Sequence, residues 1–141
     1  MRTYARMARC LSVISDLPLL LMRLVLAYGF YLPASMKWSD IHGIGDWFKQ
    51  LHIPLPYISA YLVGCTEVAG VVLLTLGLFV RYITLPLMFS MVVAIATVHW
   101  SNGFAAGDNG YEIPLYYLVM LFTLLIFGGG RIGVDYFLER S

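Results

Sequence analysis

Charge is scarce in this chain. Only 12% of its 141 residues are Asp, Glu, Lys or Arg, where a soluble domain carries about 25%. Hydrophobic residues make up 60% of the sequence and the mean hydropathy is +0.80, which excludes an ordinary soluble domain. The net charge is +1 and no basic cluster is present, so nucleic acid is excluded as a partner. Cysteine is equally sparse. Cys10 precedes the first apolar run and Cys65 lies inside the second; thiols at such different depths do not bridge, and no C-x-x-C spacing offers redox or zinc chemistry. The chain also lacks a nucleophile elbow, a phosphate loop, a dinucleotide fingerprint, and the H-E-x-x-H and H-x-x-E-H zinc motifs. Its length allows one domain, with no repeat, linker or low-complexity segment, and no catalytic residue is assigned.

What is present is long apolar runs. A membrane-spanning helix needs about 20 consecutive apolar residues, and four segments meet or approach that: 17–36, 57–80, 82–100 and 113–129. The expected fold class is therefore all-α, a polytopic membrane four-helix bundle forming a single domain over 1–141. Between the first two spans, Ile41, Ile44, Trp47, Phe48 and Leu51 recur at helical spacing, with His42, Asp46, Lys49 and Gln50 between them. This predicts a short amphipathic helix lying at the interface, ended by Pro54 and Pro56. Arg2, Arg6 and Arg9 precede the first span as in a signal peptide, but Asp16 and Arg23 interrupt the apolar stretch after them and no small-residue cleavage site is evident. The segment is read as a retained helix.

Basic residues set the expected orientation. With both termini in the cytoplasm, Arg2, Arg6, Arg9, Arg81, Arg131 and Arg140 are inside, and only Lys37 and Lys49 are outside. Trp38, Trp47 and Trp100 then all fall at the outer interface, where an indole buries its ring and keeps its N–H wet. Arg81 and Arg131 are topology anchors in this reading, with Arg131 paired to Asp135.

Two charges interrupt the spans themselves, Arg23 and Glu67. A charge near the bilayer centre costs roughly 2.5–3.5 kcal/mol on insertion scales, so such residues face the bundle interior. Ala60, Gly64, Gly70 and Gly77 share the Glu67 face of the second span, and small residues mark close helix contact in membranes. Lys37 shares the Arg23 face of the first span, and an upward-reaching guanidinium brings Arg23 towards Glu67. His99 and Glu112 lie near the level of Lys37. Arg23, Lys37, Glu67, His99 and Glu112 are thus the ligand-binding or proton-path candidates. Against that stands the plain alternative: Arg23 snorkelling to headgroups, Glu67 as buried structural glue, His99 as an interfacial side chain. Met88 and Met91 share a helix face with His99, a weak soft-metal path for Cu(I); methionine is also ordinary packing material.

These residues lie within stretches that resemble the DoxX family of small bacterial membrane proteins, over residues 20–136. The likeness rests on RLVLAYGFYLPASMKW, YLVGCTEVAGVVLLTLGLFVR, MVVAIATVHWSNGF, NGYEIPLYYLVM and GGGRIGVD, which carry Arg23, Lys37, Glu67, Arg81, His99, Gly103, Glu112, Arg131 and Asp135 in order. MKWSDIHGIGDWF and VHWSNGFAAGDNGYEIPLYY are most similar to the HvfX-type branch, which accompanies genes for small copper-handling peptides. The resemblance implies a bacterial inner-membrane location and a role in copper or oxidative stress. Other members are tied to thiosulfate or quinol oxidation as parts of larger assemblies, but kinship of fold does not transfer activity. Three functions are expected on this basis. The first is an accessory that supports a membrane or periplasmic protein partner. The second is a quinone-binding subunit of an oxidoreductase, and the third a small transporter or channel that requires homo-oligomers. Beyond the lipid bilayer itself, the cofactor is open, with quinone or copper the two to test.

Overall fold

A computed structural model describes residues 14–138. Arg2, Arg6, Arg9, Cys10 and Arg140, which bear on orientation and thiol chemistry, lie outside the described residues. Six α-helices are described: α1 (Asp16–Ser39), α2 (Ile41–Gln50), α3 (Pro56–Leu76), α4 (Val80–Ala94), α5 (Glu112–Phe127) and α6 (Val134–Leu138). No strand occurs among the described residues. A π turn (Ile95–His99) and a 3-10 turn (Trp100–Asn102) extend α4, so its helical run covers Val80–Asn102.

The lengths fit a membrane. The 24 residues of α1, 21 of α3 and 23 of the extended α4 give about 36, 32 and 34 Å at 1.5 Å per residue, enough to cross a hydrocarbon core of about 30 Å. The apolar α5 is shorter, with 16 residues and a length of about 24 Å. Packing closes a ring, α1 on α3, α3 on α4, α4 on α5 and α5 on α1. Leu26, Phe30, Leu74, Leu87, Leu121 and Leu124 fill its centre, and Phe30 meets the Tyr117 ring at 5.4 Å. The outward faces are apolar too: Tyr28, Leu32, Val72, Phe89 and Phe122 are all exposed. A surface this apolar needs lipid around it. The protein is a helical membrane bundle.

The chain reverses more sharply between α3 and α4 than the apolar runs predict. α3 stops at Leu76, where Gly77 takes φ +69° and donates its N–H to Leu73 O. Leu78 N also bonds Leu73 O, a glycine-ended helix stop. Phe79 comes next at φ +49°, and α4 begins at Val80 rather than Tyr82. Leu78 and Phe79 are as apolar as the helices they separate, so hydropathy gives no sign of the turn. The short amphipathic helix α2 forms as predicted. Asp40 caps it, its carboxylate accepting from Gly43 N at 3.0 Å. It docks on the first turns of α3, with Gly45 against the Tyr57 ring and Tyr57 donating to Asp46.

Candidate functional site

Two groups of charged residues sit at opposite ends of the bundle. One end carries Trp38, Trp47 and Trp100; the other carries Asp16, Arg81 and Arg131.

Towards the tryptophan end, Lys37 Nζ lies 3.0 Å from Glu67 Oε1. Lys37 stands in the last turn of α1, where the helix carbonyls favour a cation. Glu67 stands midway along α3, on the buried face shared with Ala60, Gly64, Gly70 and Leu74. The side chains are 15% and 4% exposed respectively, so the pair is largely removed from solvent. Small residues make the close approach possible. A Cβ on Gly64 would lie 3.3 Å from Trp38 Nε1, and one on Gly70 would lie 2.9 Å from Leu87 Cδ1. Oε2 of Glu67 is buried and has no hydrogen-bond partner among the described residues. The carboxylate thus holds one strong bond and one open acceptor.

Arg23 does not reach Glu67. It turns to the opposite end, where Nη1 donates to Gly129 O and Nη2 to Ile132 O, both at 2.8 Å. The residue is 1% exposed and its Nε has no partner among the described residues. The reason for this direction is the backbone beyond α5. Gly128 and Gly130 both take φ +77°, so the chain leaves the helix and presents carbonyls that cannot be left bare away from water. The guanidinium fork satisfies two of them. Glycine makes the cradle: a Cβ on Gly77, Gly129 or Gly133 would come within 3.0 Å of Arg23 Nη1.

Asp135 also departs from the expected pairing. Its Oδ1 accepts from Phe79 N at 2.8 Å and its Oδ2 from Val80 N at 3.1 Å, so it closes the first turn of α4. Arg131 is drawn instead to Asp16: its backbone N donates to Asp16 Oδ1 at 2.9 Å, and its Nε stands 3.8 Å from Asp16 Oδ2. Arg81 Nη2 lies 3.3 Å from Ile126 O, near the end of α5.

His99 and Glu112 serve the loop between α4 and α5. His99 Nδ1 lies 2.9 Å from Asn109 O. Glu112 accepts from Ala106 N at 2.9 Å and from Tyr116 Oη at 3.1 Å. Met88 and Met91 pack against the central core. Among the described residues no group of three His, Cys, Asp or Glu side chains is placed to hold a metal ion. Of the five candidate residues, the structure brings together only Lys37 and Glu67. Asp16 was not among them, although its position opening the first span is a helix-start signal.

Two surface grooves among the described residues are apolar. One, lined by Trp38, Cys65, Val68 and Val72 among others, runs along the outward face of α3; the other lies beside the π turn, between Val92, Trp100 and Leu118. A helical bundle with an ion pair and a buried arginine in its membrane-facing helices defines an all-α integral membrane protein. The model of the DoxX family matches residues 18–100, which include Arg23, Lys37, Glu67, Arg81 and His99. The chain belongs to the DoxX family. It is similar to a protein of Haemophilus influenzae described as uncharacterized, at 28% identity over 134 residues, covering 89% of this chain and 86% of that one. No solved structure matches the chain.

Proposed function

We propose that this protein is a non-enzymatic accessory of the bacterial inner membrane, a rigid bundle that supports a membrane or periplasmic partner in copper or oxidative-stress handling. The observation that carries this reading is where the intramembrane charges place their bonds. Lys37 and Glu67 bond each other and Arg23 bonds loop carbonyls, while both grooves are lined by apolar side chains. Charges used in this way hold helices together and leave the outer faces for lipid or a partner. The resemblance of its two loop sequences to the HvfX-type branch supports the link to copper. Both termini are cytoplasmic in this account, with the arginine end inside and the tryptophan end outside. In a strain lacking the gene, growth under copper load should fall and be restored by the plasmid-borne gene. Unchanged growth across copper, other metals and oxidants would remove the basis for the stress role.

One observation favours a second reading, a quinone-binding redox subunit. The unpartnered Oε2 of Glu67 beside Lys37 is an acceptor that a hydroxyl of a reduced quinone could fill, with Glu67 taking its proton. Quinone retained at one per chain in mild detergent, and lost in Glu67→Gln, would favour this reading over the accessory. A transporter or channel would require homo-oligomers to enclose a path.

A further inference from the structure

The arginine end carries a feature that the Lys37–Glu67 pair does not explain. Arg81 projects from the first turn of α4 and is exposed, and its guanidinium makes a 3.3 Å contact to Ile126 O. Arg81 makes no ion pair among the described residues, and Asp135 accepts from the Phe79 and Val80 N–H groups. Three residues beyond Gly128, over which the Arg81 guanidinium lies, comes Arg131. Its side chain is 75% exposed and its Nε is 3.8 Å from Asp16, long for a charge-assisted bond. Two guanidinium groups therefore flank one short glycine loop with most of their donors open.

The surroundings choose the ligand. Phe79, Tyr82, Phe127 and Ile132 beside these arginines are all at least half exposed, an apolar rim of the kind acyl chains cover. The helix that ends here, α5, reaches only about 24 Å, a mismatch that local thinning of the bilayer and snorkelling side chains absorb. An anion arriving at this depth comes attached to a lipid.

We infer that Arg81 and Arg131 form a binding site for the phosphate headgroup of an anionic glycerophospholipid, seated over the Gly128–Gly130 loop. The guanidinium forks match phosphate oxygens, and the exposed aromatic side chains lie along the glycerol and upper acyl chain. Charge complementarity favours an anionic headgroup, because a choline ammonium would be repelled by the second arginine.

The test is native mass spectrometry of the whole protein in mild detergent, titrated with phosphatidylglycerol or phosphatidylcholine. The wild type should retain phosphatidylglycerol preferentially. Arg81→Gln with Arg131→Gln should reduce that retention by about 30-fold, as expected for two arginines near an anionic headgroup. Lys49→Gln, at the tryptophan end, should change nothing, and Arg81→Lys with Arg131→Lys should keep most of the binding. Equal retention of the two lipids by the wild type would overturn the site. So would undiminished phosphatidylglycerol in the double glutamine variant, or an equal loss in Lys49→Gln. Should the glutamine variant fail to fold, Arg131→Gln alone, whose side chain is mostly exposed, must still lower retention.

Discussion

Lys37 Nζ sits 3.0 Å from Glu67 Oε1, joining the last turn of α1 to the middle of α3. The contact links two of the charged residues that the sequence places within the bundle. It leaves the third, Arg23, for a different task at the opposite end. One charged group welds two helices, and the other holds a loop.

Removing one partner of the pair strands the other. Lys37→Met leaves an uncompensated carboxylate in a site 4% exposed, and should lower stability by about 3–5 kcal/mol. Glu67→Gln keeps an acceptor for Lys37 and should cost less. Thermal unfolding in a single detergent measures both. A Lys37→Met protein as stable as wild type would show that the pair contributes nothing.

Arg23 should not tolerate lysine. A point charge cannot donate to Gly129 O and Ile132 O as the planar fork does, and each hydrogen bond to a charged group contributes about 1.5–3 kcal/mol. Arg23→Lys should therefore lower stability by about 2–3 kcal/mol, read from the unfolding midpoint. Equal stability would mean that the loop carbonyls find other donors.

Gly77 and Arg23 should couple. At φ +69° a Cβ on Gly77 is strained and would overlap Arg23 Nη1. Gly77→Ala should cost more than about 1 kcal/mol, and part of that loss should vanish in an Arg23→Met background, where the overlap with the guanidinium is removed while the close approach to Gly133 Cα remains. The interaction energy from this double-mutant cycle is the readout. Strict additivity would contradict the close contact.

Orientation is open to chemical labelling. In a chain with Cys10 and Cys65 replaced by alanine, a cysteine at Gly107 meets nothing within 4 Å, and one at Ile132 stands at the arginine end. A membrane-impermeant maleimide should label position 107 in spheroplasts and position 132 only after lysis. The reverse pattern would invert the proposed topology.

Copper should not be held by this chain itself. Met88 and Met91 pack on the core and His99 is engaged with Asn109 O. Met88→Leu with Met91→Leu conserves volume, so it should cost less than about 1.5 kcal/mol and leave copper tolerance unchanged. Stoichiometric copper in the purified wild type, absent from this variant, would place a metal site here.

Much of the bundle was legible in the sequence because lipid imposes a crude rule: spans must be long and apolar. The amphipathic α2 was legible for a related reason, its alternation at helical spacing between Ile41 and Leu51. The inward face of α3 could be read from Ala60, Gly64, Glu67 and Gly70. The α3–α4 turn was hidden because Leu78 and Phe79 are apolar, and only Gly77 hinted at it. Arg23 was misdirected because depth along one helix says nothing about an irregular loop from another. The carbonyls of Gly129 and Ile132 come into reach only when α5 stops early and the glycines bend the chain back. Asp135 likewise sits near Arg131 in sequence, yet it meets the start of α4 because its own backbone N–H bonds Gly77 O at 3.0 Å.

The accessory reading treats the pair as a weld between helices, which apolar side chains can replace. Buried ion pairs exchanged for apolar residues of similar volume are often neutral in stability. The most direct test is therefore Lys37→Met combined with Glu67→Leu, measured for unfolding and for rescue of the deletion strain under copper load. The account predicts stability within about 1 kcal/mol of wild type and full rescue. A variant that folds as well as wild type but fails to rescue would contradict it, and would assign the pair to ligand or proton chemistry.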